Sequence, residues 1–127
     1  MSGTDQVTTA LLMKALDAAS LRHQAIASNI ANASSINYRP LKVNFEQQLG
    51  FARAALAQGA SALTMADVAH LQPLLEQEPA PAGGGASVLL DMEMVKLSQN
   101  TLHYQALLKG LTHRASILAT AINEGRK

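Results

Sequence analysis

The side chains that could do chemistry are few and scattered. Four histidines stand at His23, His70, His103 and His113. A helical zinc site needs two ligands on one face a single turn apart, and no two of these histidines have the i, i+4 spacing. His103 and His113 are nearly three helical turns apart and cannot chelate one ion. The chain has no cysteine, so thiolate ligands, thiolate nucleophiles and disulfides are all excluded. Asp91 and Glu93 form the one tempting carboxylate pair. At i, i+2 on a helix they point to different sides, whereas general acid–base work needs groups converging in a cleft. Their expected place is at the cap and first turn of a helix, where carboxylates complement the dipole. Gly83-Gly84-Gly85 lacks the trailing Lys-Ser/Thr of a phosphate loop and follows no strand, so it reads as a hinge. No serine sits in a Gly-x-Ser-x-Gly elbow. Nothing here asks for a metal or a cofactor, and no constellation makes an enzyme.

The elements that hold these residues are built from unusual material. The chain of 127 residues is 48% hydrophobic but only 3% aromatic, and the aromatics are Tyr38, Phe45, Phe51 and Tyr104. Alanine takes their place. Such a composition suits close helix–helix packing better than a thick core, with part of the apolar surface buried between subunits. Ten Lys/Arg against nine Asp/Glu give a formal charge of +1. A nucleic-acid partner would require a basic face, so none is expected, and neither is direct lipid binding. Met1–Val7 carries Asp5, no Lys or Arg and no long apolar run, so no secretory signal is expected. The apolar runs fall far short of the roughly 18 residues that span a bilayer.

Two long periodic segments lie at the ends. The first spans about Thr4 to Ala33, with a stripe at Leu12, Leu16, Ala19, His23, Ile26, Ile30 and Ala33. Its steps alternate four and three, which is a heptad pattern that His23 alone interrupts. The second spans about Leu90 to Glu124. Its stripe is Leu90, Met94, Leu97, Thr101, Tyr104, Leu108, Leu111, Ala115, Leu118 and Ile122. Asp91 and Glu93 mark its start, and Gly125, Arg126 and Lys127 mark its stop. A 3.5-residue period implies left-handed supercoiling of paired helices. The simplest pairing joins the two helices within one chain, leaving further stripes for neighbouring chains. Met94 on the stripe reads as core filler.

The middle has a different texture. Ser34 to Leu41 is polar and turn-like, and Arg39 is biased out of the helical region by Pro40. Asn44 to Gln58 suggests a short helix, with Asn44 as cap and Gln47 at the third position of a capping box. Thr64 and Asp67 suggest a second helix start before Pro73. Pro79 to Ser87 reads as a flexible stretch. The expected fold is all-α: long N- and C-terminal helices (residues 1–33 and 88–127) pair as an antiparallel coiled coil, and residues 34–87 form an extended and short-helical connector.

Asn29-Ile30-Ala31-Asn32-Ala33 admits two readings. Asparagine tolerates left-handed geometry and satisfies end carbonyls, so the pair can simply close the first helix. Alternatively, both amides bond to the following loop or to a neighbouring chain. The segment alone slightly favours the first.

The same segment carries a family resemblance. His23 to Ala33, followed by Tyr38-Arg39, resembles the N-terminal signature of flagellar rod and hook proteins, an Asn-Ile/Val-Ala-Asn-Ala motif followed by Thr-Pro-Gly-Tyr-Lys. Here Ser35-Ile36-Asn37 replaces Thr-Pro-Gly, and Asn37 can supply the glycine's positive φ. Val88 to Met94 resembles the family's Val-x-Leu-Asp-x-Glu-Met, and Asn100 to Leu107, with Tyr104, resembles its continuation. In the middle, Thr64 and His70-Leu71 are similar to the proximal-rod pattern, while Gly85-Ala86 departs from the usual Gly-Asn. The short length and the absence of an Arg-x-Tyr-x-x-Asn pattern around Leu102 to Leu107 favour the proximal-rod FlgB type over the other short type, FlgC.

The resemblance implies a structural subunit of the bacterial flagellar basal-body rod in the periplasm, exported by the flagellar type III system without a cleaved signal peptide. Such subunits polymerise helically to join the MS ring and export gate to the distal rod and to transmit torque. Implied partners are other copies, other rod proteins, the hook-basal-body adaptor FliE and the flagellar export gate. The residues expected to carry assembly are Leu16, His23, Ile26, Asn29, Ile30, Asn32, Tyr38, Asp91, Glu93, Met94, Tyr104, Leu108, Leu111 and Leu118. The competing expectation is a cytoplasmic helical adaptor or secretion chaperone, which explains amphipathic helices but not the Asn-Ile-Ala-Asn segment.

Overall fold

With neither glycine nor proline between Thr4 and Tyr38, nothing interrupts the first helix. The computed structural model describes residues 3–59, 63–79 and 88–125. In it, α1 spans Gly3–Ala31 and α4 spans Leu90–Gly125. Between them come β1 (Leu41–Asn44), α2 (Glu46–Ala57), α3 (Met65–Ala69) and β2 (Leu74–Gln77). The expected Gly-rich hinge at residues 83–85 and the terminal cations Arg126 and Lys127 lie outside the described residues. No described helix is long and apolar enough to cross a membrane.

The two long helices pair antiparallel, as the heptad stripes lead one to expect. Asn29 near the end of α1 meets Glu93 at the start of α4, and Asp5 meets Arg114 at the other pole. From Arg114 the helix continues to Gly125, while α1 reaches only to Gly3 on the far side of Asp5. Roughly the last two turns of α4 therefore extend past the start of α1.

The chain leaves α1 through a tight reversal. Asn32, Ala33 and Ser35 each donate their backbone N–H to a carbonyl three or four residues back. Asn37 adopts φ 63°, the left-handed geometry that a glycine would otherwise supply. The chain then enters β1, which pairs antiparallel with β2 in the register Leu41 with Gln77 and Val43 with Leu75. These two short strands are the extended part of the connector.

Two small cores hold the connector against α1. Val7 packs with Ala52, Leu63 and Val68, flanked by Leu11 and Leu71. Ala18 and Ala25 pack with Val43 and the fully buried Phe45, flanked by Leu21 and Leu49. Gln48 seals the joint between α2 and the start of β2. Its amide donates to the Gln72 carbonyl at 2.7 Å and its oxygen accepts from the Gln72 N–H at 2.8 Å.

The capping expectations divide. At α3, the Thr64 hydroxyl accepts from the Asp67 N–H and the Asp67 carboxylate accepts from the Thr64 N–H, a complete capping box. The hydrogen bond from the Thr64 backbone N–H, and after it the Thr64 side chain, hold the Asp67 carboxyl below its ordinary value. At α2 the expected Asn44 cap is corrected. Phe45 is the cap residue, with no side-chain bond to the helix, and Asn44 instead donates to Glu76 across the β1–β2 pair. Burial of Phe45 fixes the start of α2, so the polar cap is displaced by one residue.

The stripe on α4 also needs correction. Leu97, Leu111 and Leu118 are half-buried. Leu90, Met94, Tyr104, Leu108 and Ile122 remain exposed. The fully buried residues of α4 are polar: Glu93 and Asn100. The inner face is rotated away from the apolar stripe by about one residue step, because the row through Glu93 and Asn100 is the one that meets α1.

Candidate functional site

The first asparagine of the Asn-Ile-Ala-Asn segment lies at the centre of a polar knot. Asn29 is buried, in the last turn of α1. Its amide donates to the Leu41 carbonyl at 2.9 Å and to Glu93 Oε2 at 3.2 Å. Its oxygen accepts from the Leu41 N–H at 2.8 Å and from the Tyr38 hydroxyl at 2.8 Å. One side chain thus clamps both backbone groups of Leu41 as β1 begins and ties them to α4. A buried amide needs all of its hydrogen-bonding capacity met, and here it is met by residues from three elements.

The surrounding residues complete the knot. The Tyr38 hydroxyl also lies 3.1 Å from Ser28 Oγ. Asn32 donates back to the Ser28 carbonyl at 2.8 Å, which is the helix-closing role of the simpler reading. The two asparagines therefore divide the two readings between them: Asn32 caps, and Asn29 bonds to the following loop. Glu93 stands in the first turn of α4, and its other oxygen accepts from Lys96 at 3.1 Å. The dipole role expected of Glu93 is compatible with that position, but its burial and its bond to Asn29 are additional. Asp91 remains exposed in the same turn.

A groove of about 340 Å³ opens beside the knot, between α1, β1 and the first half of α4. Ala25, Ile26, Leu41 and Val43 form its apolar wall, and Arg22, Lys42, Lys96 and His103 stand around it. Arg22 is paired with Glu46, and Lys96 with Glu93. No group of three His, Asp or Glu side chains able to hold a metal gathers among the described residues. The knot's donors and acceptors face one another. Its chemistry is that of a fastener, not of a reaction centre.

Of the candidate assembly residues, the fold brings Asn29, Tyr38 and Glu93 together and sets Asn32 beside them. Ile26 is buried against α4's side of α1, and Leu16 and Ile30 are half-buried. His23, expected on the stripe, is exposed: α1 uses its other sides for α4 and for the connector, and His23 lies beyond both. Met94, Tyr104 and Leu108 face outward, while Leu111 and Leu118 are half-buried. Sequence reasoning assigned no contact role to Ser28, Lys96, Asn100 and Arg114. Asn100 donates to the Ala19 carbonyl at 2.8 Å, and Arg114 donates to Asp5 Oδ1 at 3.0 Å. A signal was present: Glu93, Asn100 and Arg114 fall on one seven-residue row.

No family model matches the chain. Several curated relatives do. It is 30% identical over 110 residues to a flagellar basal body rod protein FlgB of Cereibacter sphaeroides, covering 80% of this chain and 82% of the relative. It is 27% identical over 119 residues to the protein of the same name from Bacillus subtilis, covering 91% and 92%. The Escherichia coli protein of that name is 26% identical over 124 residues, covering 88% and 90%.

Proposed function

Because this chain belongs to the family of flagellar basal body rod proteins of the FlgB type, we propose that it is a non-enzymatic structural subunit of the proximal rod. It polymerises helically, joins the MS ring and export gate to the distal rod, and transmits torque. Its neighbours are other copies, other rod proteins, the adaptor FliE and the export gate. It reaches the periplasm through the flagellar type III system without a cleaved signal.

The observation that carries this reading is the outer face of α4. Leu90, Met94, Tyr104, Leu108 and Ile122 remain exposed after the chain has folded. From Leu97 to Asn123 the helix has only Lys109 and Arg114 as formally charged residues, and Arg114 is paired with Asp5. A helix with so few charges and apolar residues on several sides is a helix that other protein covers. Contacts that do not close into a ring generate an extended helical assembly.

Leu108→Asp tests this directly. The site is exposed in the single chain, so the substitution leaves the helix content unchanged. It places a charge where a neighbour packs. The expected result is a folded protein missing from purified basal bodies and a non-motile cell. Normal motility would sink the assignment of this face. Recovery of the unaltered protein only from cytosol would support the cytoplasmic adaptor or secretion chaperone instead.

A further inference from the structure

The apolar contacts between α1 and α4 do not by themselves define where one helix stands along the other. Leu12, Ala19, Ile26 and Ala33 repeat every seven residues on α1, and Leu90, Leu97, Tyr104, Leu111 and Leu118 do so on α4. Sliding α4 by one heptad, about 10 Å, again brings apolar rows together. The alanines at 18, 19 and 25 are small and nearly featureless, so they resist such a slide weakly.

A second row of α4 is not degenerate. Glu93, Asn100, Leu107 and Arg114 are also seven apart, but three of the four are polar and each of those finds a different partner on α1. Glu93 takes the Asn29 amide, Asn100 reaches the Ala19 carbonyl, and Arg114 reaches Asp5. A one-heptad slide would bring Glu93 to the place of Asn100, and Leu107 to the place of Arg114. It would strand the carboxylate beside a backbone carbonyl. Stability alone does not explain the row. Arg114 Nε is buried without a hydrogen-bond partner among the described residues, which is unfavourable. Glu93 and Asn100 are buried, and buried polar groups are best attested as devices that specify register.

We infer that Glu93, Asn100 and Arg114 form a register key that selects one axial position of α4 on α1. The key fixes how far α4 projects beyond the start of α1. It acts within one chain and does not depend on the rod reading.

The test replaces the key by apolar residues, Glu93→Leu, Asn100→Leu and Arg114→Leu together, in the full chain. Asn29 keeps its bonds to Leu41 and Tyr38, so the connector stays fastened. The chain has no cysteine, so spin labels on cysteines introduced at the exposed positions Ser20 and Gln105 are the only ones present. Pulsed electron resonance, in sucrose to favour the compact state, then reads the distance between them. The unaltered chain gives one distance. The triple variant keeps its helix content and gives two or more distances, from forms displaced by about 10 Å along the axis. One unchanged distance in the variant would overturn the key, as would loss of its helix pairing, since either assigns these residues to stability alone. Several distances in the unaltered chain would overturn it too. A chain that gives one distance but never enters basal bodies would refute the rod reading and leave the key intact.

Discussion

Asn29 Nδ2 and Glu93 Oε2 lie 3.2 Å apart although 64 residues separate them in the chain. That contact joins the last turn of α1 to the first turn of α4. Because Asn29 also holds both backbone groups of Leu41, the contact makes three elements interdependent. Helix pairing and entry into β1 become one cooperative event.

Removing the amide therefore has an outsized effect. Asn29→Ala leaves the Leu41 backbone groups and one Glu93 oxygen without their partner. Stranded buried polar groups cost about 1–3 kcal/mol each and do not add fully, so the expected loss is about 3 kcal/mol. Urea unfolding followed by circular dichroism measures it. A loss under about 1 kcal/mol would mean that water replaces the amide.

Tyr38→Phe is milder. The ring stays, and the hydroxyl bonds to Asn29 and Ser28 disappear. The expected loss is about 1 kcal/mol. In combination with Asn29→Ala the two effects should be less than additive, because they share a bond. Full additivity in the double-mutant cycle would contradict the shared network.

The left-handed turn at Asn37 yields a prediction with opposite signs for two substitutions. Asn37→Gly should be neutral or slightly stabilising at φ 63°. Asn37→Val forces a β-branched residue into that geometry and should cost roughly 1–2 kcal/mol. Thermal melts of the two variants decide it. Equal melting temperatures would show that the turn relaxes to another conformation.

The Thr64 cap ties stability to pH. Hydrogen bonds from Thr64 lower the Asp67 carboxyl below its ordinary value of 3.8. A folded-state value below the unfolded one means the stabilisation is complete above the ordinary value. It is lost as pH falls through the lowered one. Thr64→Ala should destabilise the chain by about 1 kcal/mol. In an NMR titration the Asp67 carboxyl should move up toward its ordinary range. An unmoved titration would remove the Thr64 hydroxyl as a cause and leave the backbone N–H, which alanine keeps.

The long helices were legible in the sequence because their heptad spacing and lack of breakers are local properties. The helix start at Thr64 and the left-handed Asn37 were legible for the same reason. Asn44 was misjudged because a good cap residue competes with tertiary burial, and Phe45 next to it fills the core. The inner face of α4 was hidden more deeply. Hydropathy selects the apolar stripe as the natural seam, yet the row that meets α1 carries Glu93 and Asn100. Their partners lie on another helix, so no window of α4 alone contains the information. The knot at Asn29 was half visible: the segment suggested amides that reach out, and only the fold shows that Glu93 is the far end.

Antiparallel pairing of α1 and α4 has an electrostatic consequence. Each long helix carries a dipole equivalent to about half a charge at either end, and opposed dipoles largely cancel over their shared length. The body of the molecule consequently presents little axial field of its own. In the proposed assembly, copies stacked end to end would gain or lose little from dipole alignment, and shape with side-chain fit would decide which way up a molecule is added. If the proposed assembly is right, the dipole contribution to axial growth should be only weakly sensitive to ionic strength, unlike assembly steered by charge.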